Sequence, residues 1–119
     1  MFQLLWTNPN PNNAMGVTTI TLSQNTSKFK MLLIVFKPEY SNTNGYCSVI
    51  MPVDVGQITL LGFAISYDAQ VNAGLSMYRR MNIISSNQIS ANRGWYSGNN
   101  THPTEYAGAC VPQYIYGLN

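Results

Sequence analysis

The sequence predicts an all-β fold: an antiparallel two-sheet β-sandwich, jelly-roll-like, with about eight strands in one domain over residues 1–119. Two observations carry the prediction. The apolar runs are made of β-branched and aromatic residues (VTTITL, LLIVF, YIY), and no segment has the density of good helix formers that a helix needs. Turn residues then punctuate these runs at short spacing, as in sandwiches and barrels. With 119 residues and 45% hydrophobic content, the chain holds enough apolar side chains for one core without a disulfide framework.

Phe2 to Trp6 reads as a short first strand, stopped by Thr7-Asn8-Pro9-Asn10-Pro11-Asn12-Asn13. The prolines there remove backbone donors, and the asparagines accept turn geometry. Val17 to Leu22 is a β-branched run with Ile20 and Leu22 on one face. Lys28 to Lys37 begins as an alternation and becomes continuously apolar from Met31 to Phe36, so it is a central strand or one that also faces a partner subunit. Pro38 is expected to end it. Ser41 to Gly45 closes on Asn44-Gly45, the dipeptide of a type I′ hairpin turn.

The next strand is Tyr46 to Val53, with Pro52 marking an edge or a bulge, and Asp54-Val55-Gly56 turns the chain. Gln57 to Tyr67 alternates Leu61, Phe63, Ile65 and Tyr67 against Thr59, Gly62 and Ser66. Leu75 to Ser85 sets Met81 and Ile83 opposite Arg80 and Asn82, and 87–90 reads as a short return strand. Residues 91–108, rich in glycine, asparagine and aromatic residues, read as one long loop of the kind that carries function. Ala109 to Leu118 is the closing strand.

Charged residues make up 8% of the chain, against a usual ~25%. Asn, Ser, Thr, Gln and Tyr supply the polar surface instead. The net charge is +2, and the six Lys and Arg residues are scattered rather than gathered into the dense stripe that nucleic-acid binding needs. No run approaches the ~20 apolar residues of a membrane span, so no membrane insertion is expected. The opening MFQLLW has neither the basic segment nor the long apolar segment of a signal peptide. Cys47 and Cys110 lie far apart in sequence; they read as two buried free thiols, with one long-range disulfide as the alternative.

The carboxylates are Glu39, Asp54, Asp68 and Glu105, in four separate loops or turns, and His102 is the single histidine. No pair stands at a spacing that supports acid/base hydrolysis, and no nucleophile motif, metal-ligand cluster or phosphate loop is present. The chain therefore reads as a non-enzyme with no cofactor and no metal. Of Arg79-Arg80, one arginine is expected to face solvent and the other a carboxylate between sheets or subunits.

The stretch RGWYSGNNTH is the candidate ligand site: Arg93, Trp95, Tyr96, Asn99, Asn100 and His102. Aromatic faces stack on the apolar side of a pyranose, while arginine and asparagine bond its hydroxyls. The competing reading is that Trp95 and Tyr96 fold back as a lid on one end of the sandwich. Trp6 and the Asn/Pro loop after it form a weaker second candidate.

LLWTNPNPNNAMGVTTITL, then LLIVFK, YCSVIMPV, a strand with paired arginines, and VPQYIYGLN at the end together resemble small domains of bacteriophage tail proteins. The leading LLWTNP and the closing PQYIYG elements are the most specific parts, and residues 91–108 follow no pattern of that family. The resemblance implies a virion component produced in the bacterial cytoplasm. It also implies a homotrimer associated with other tail or baseplate proteins and often concerned with host cell-surface glycan. It supplies no catalytic residues. The alternatives are a purely structural baseplate component and a stand-alone bacterial carbohydrate-binding module.

Overall fold

A computed structural model describes the backbone of residues 2–40, 45–68, 73–98 and 103–119, and within these the side chains of all but 63–68 and 73–75. The described residues form nine strands, one short 3-10 turn at Thr26–Lys28 and no α-helix. Strands β1 (Phe2–Thr7), β3 (Met31–Glu39), β4 (Cys47–Pro52) and β9 (Ala109–Leu118) make one antiparallel sheet in the order β1-β9-β3-β4. Strands β2 (Thr18–Thr21), β5 (Ile58–Asp68), β6 (Ala73–Ser85) and β7 (Gln88–Gly98) make the other in the order β2-β7-β6-β5. The two-residue β8 (Thr104–Glu105) adds to β7 beyond β2, since β2 covers residues 88–91 of β7 and β8 covers 95–96. The two sheets form the expected sandwich. Strands β1 and β3 both flank the last strand, while β2 leaves for the opposite sheet.

Period-2 alternation builds the core. Leu5, Leu32, Ile34, Phe36, Met51 and Ile115 point inward from the first sheet, and Ile20, Leu61, Met81, Ile83, Ile89 and Ala91 from the second, all buried. The outer face of the first sheet is also apolar. Register sets Phe2, Leu118, Met31 and Pro52 in one row across its four strands, and Leu4, Tyr116, Leu33 and Ile50 in the next. Phe2 is 64%, Leu4 48% and Ile50 53% exposed. The continuous apolar run of residues 31–36 is thus a central strand, as its composition requires.

Several boundaries differ from expectation. Residues 91–98 are not loop: they continue the short return strand into β7, which pairs with β6 along its length. Glycine, asparagine and serine disfavour strands only weakly, and here a long neighbour on one side and β2 and β8 on the other outweigh that preference. Pro38 does not end β3. The strand runs on to Glu39, and the ladder with β9 steps from Lys37↔Val111 to Glu39↔Ala109, passing over Pro38. Cys110, at the skipped position, takes a left-handed φ of 46°. A residue without an N–H is tolerated because β4 stops opposite Phe36, leaving this end of β3 with one neighbour. Pro52 does sit on an edge strand. Residues 41–44 of the hairpin turn lie outside the described residues, and Gly45 has the positive φ, 105°, that such a turn requires.

Both cysteines are free; Cys110 is buried and Cys47 half-buried. Burial pushes the Cys110 thiol up to about 12, and the nearby Arg79 only partly offsets this. A thiol-reactive dye at pH 8 is expected to label one cysteine in the native protein, Cys47, and to reach Cys110 only after denaturation. Equal labelling of both without denaturant would show the start of β9 to be open.

Candidate ligand groove

Strand alternation decides the site. Arg79 points inward, so its neighbours Tyr78 and Arg80 stand on the outer face of β6. Tyr78 pairs with Trp95 on β7, and the row continues to Gly62 on β5 and Glu105 on β8. Between Arg79↔Gly94 and Met81↔Ala91 the register shifts, so Asn92 and Arg93 both lie opposite Arg80. Such a bulge re-aims side chains. It gathers Arg80, Asn92 and Arg93 beside the two aromatics. Together with Val17 and Pro103 they line an open groove of about 760 Å³. A Cβ at Gly62 would meet nothing within 4 Å.

The groove's polar groups differ in freedom. Arg93 Nε lies 3.6 Å from Glu105 Oε1, and both side chains are more than half exposed. An exposed pair of this kind contributes little to stability. The Asn92 amide donates to Asn82 Oδ1 at 3.4 Å. Arg80 is exposed and makes no hydrogen bond or ion pair to any described residue.

Of the six residues singled out in the sequence, Arg93 and Trp95 line the groove. Tyr96 follows Trp95 in the strand and therefore takes the opposite face. Its ring meets Tyr106 edge-on at 5.8 Å, on the side where Tyr106 donates its hydroxyl to Glu39 Oε1 at 2.7 Å. Burial and that carboxylate hold the Tyr106 phenol well above its ordinary range. Asn99, Asn100 and His102 lie outside the described residues. Tyr78, Arg80, Asn92, Val17 and Pro103 were not foreseen as lining residues. Tyr78 and Arg80 had a sequence signal, because period 2 through Tyr78-Arg79-Arg80 puts them on one face.

Arg79 holds the wall behind the groove. It is fully buried, and its partner is not the expected carboxylate but a ring of backbone carbonyls. Nε donates to Ala109 O at 3.0 Å and Cys110 O at 3.1 Å, Nη1 to Asn92 O at 2.8 Å, and Nη2 to Ala107 O at 2.8 Å. The guanidinium thus ties β7 and the 107–110 segment to β6. Burial pushes it down to about 10, which leaves it charged at neutral pH. Gly94 is required here: a Cβ would collide with the Tyr106 carbonyl and stand 2.7 Å from Arg79 Nη2. Arg80, the other member of the pair, does face solvent.

A second hollow, about 310 Å³, lies between Trp6, the Asn/Pro loop and β2. Asn8 in its wall is committed to the fold, since its amide donates to Pro112 O at 2.8 Å and its oxygen accepts from Asn10 N at 2.7 Å. Among the described residues no three His, Cys, Asp or Glu side chains converge, and no helix is long and apolar enough to cross a membrane. What the groove offers is two aromatic faces beside guanidinium and amide groups. No protein-family model matches the chain, and no curated protein does.

Proposed function

We propose that this protein is a non-enzymatic tail component of a phage or prophage, a homotrimeric receptor-binding domain whose groove takes a host-surface glycan. The observation that carries the binding half is the Tyr78–Trp95 pair beside Arg80, Asn92 and Arg93 in one open groove. Aromatic faces recognise the apolar face of a pyranose, and planar donors and amides bond its hydroxyls. A surface with few charges has little ionic hydration to lose when a neutral, hydroxyl-rich partner docks. The virion assignment rests on the resemblance of LLWTNP and PQYIYG to phage tail domains. The trimer draws support from the apolar outer rows of the β1-β9-β3-β4 sheet, which a monomer leaves in water.

A glycan array probed with wild type, Trp95→Ala and Tyr96→Ala tests the site. Wild type is expected to bind a subset of bacterial-envelope glycans. Trp95→Ala should lose at least tenfold in affinity, as removal of a stacking aromatic does, while Tyr96→Ala stays within about twofold. Equal binding by Trp95→Ala would move the site elsewhere. Light scattering tests the assembly, and a monomer at micromolar concentration would favour the stand-alone carbohydrate-binding module over the tail protein.

A further inference from the structure

We propose that the groove selects a saccharide carrying an oxyanion, with Arg80 as the residue that pairs with it; this rests on the glycan-binding reading above. The argument begins with what surrounds Arg80. Its in-register neighbour on β5 is Leu60, 53% exposed, and on β7 the bulge residues Asn92 and Arg93. None of these is acidic, and the Arg80 side chain makes no hydrogen bond or ion pair with any described residue. A solvated arginine on a plain surface carries no message. Here, however, the guanidinium lies in a groove with the stacking pair Tyr78 and Trp95, so a sugar seated on the aromatics brings its substituents to the arginine.

Among the described residues the lining includes two arginines and no carboxylate. Glu105 is next to Trp95 in register, where it is engaged with Arg93 at 3.6 Å. The groove is therefore cationic, in a protein with only six Lys and Arg residues. A planar guanidinium matches a carboxylate or a phosphate with two parallel N–H···O bonds, which a neutral hydroxyl cannot reproduce. Glu105 restrains Arg93 and competes with an incoming anion for it. Its role is to set the strength of anion binding.

The test uses the full chain on an array of matched glycans: oligogalacturonates, the same oligomers as methyl esters, and a phosphomannan. The ester removes the charge and leaves the pyranose faces in place. The acid or the phosphate polymer is expected to bind at least tenfold tighter than the ester, and the preference should fade between 0.05 and 0.5 M salt, roughly as screening shortens. Arg80→Gln should erase the preference. Glu105→Gln should strengthen anion binding severalfold. The arm that binds tells whether a sugar acid or a phosphate is the source of the charge.

Equal binding of acid and ester, or a preference that survives Arg80→Gln, overturns the oxyanion proposal and leaves glycan binding standing. Trp95-dependent binding confined to neutral glycans does the same. Absence of binding to every glycan on the array removes the glycan reading itself. Because Arg80 and Glu105 are exposed, circular dichroism and melting of both variants should match wild type, so loss of fold does not confuse the outcome.

Discussion

Replacing Arg79 with methionine is expected to cost this protein about 4 kcal/mol or more of stability, read as a fall in the denaturant midpoint. The reason lies in what the side chain holds. Its donors satisfy the carbonyls of Asn92, Ala109 and Cys110, and share that of Ala107 with the Met15 amide. Exchanging a buried ion pair for apolar residues is often neutral, because both charges leave together. Here the partners are backbone and stay behind, each costing about 1–3 kcal/mol when stranded without a donor. Typical domains have ~5–15 kcal/mol in total. Arg79→Lys should also destabilise, by about 2 kcal/mol or more, because one ammonium cannot span the same fork of acceptors. A methionine variant melting within about 1 kcal/mol of wild type would show that solvent reaches these carbonyls. Either Arg79 substitution should lower glycan binding only through loss of fold.

Deleting Tyr114 to Asn119 is expected to give insoluble protein. The deleted residues supply every partner of β1, from Thr7↔Tyr114 to Phe2↔Leu118, and the partners of Met31 to Val35 on β3. Losing them strands two edges in a sheet whose outer face already exposes Phe2, Leu4 and Ile50, which invites pairing with other chains. Ile115, fully buried, leaves the core as well. Phe29 loses its seat, since its ring packs so closely over Gly117 that a Cβ there would collide with it. A truncated chain that stays soluble and melts cooperatively would refute the closing-strand assignment.

Much of this follows from local chemistry. The β-branched and aromatic runs specify strands, and the continuous apolar run of residues 31–36 specifies a strand with neighbours on both edges, as β9 and β4 provide. Pro52 belongs on an edge because it has no N–H to give a neighbour. The pairing of Tyr78 with Arg80 on one face is also implicit in period 2, and the same rule separates Trp95 from Tyr96, although a loop reading of residues 91–98 hides it.

Other features depend on residues distant in sequence. The stretch ANRGWYSG has poor strand propensity and becomes β7 because β6, β2 and β8 supply its hydrogen bonds. No local pattern tells which of Arg79 and Arg80 is buried or that backbone carbonyls receive it, since those acceptors lie 13 to 31 residues away. The bulge that sets Asn92 and Arg93 opposite Arg80 is likewise a matter of register between two strands. The sequence by itself determined that the chain forms strands, where most begin, and that its surface is polar with little charge, since these depend on side-chain shape and period. Only the tertiary structure decided which strands meet, which arginine is enclosed and which residues share the groove, because pairing and burial are set by long-range contacts that no single segment contains.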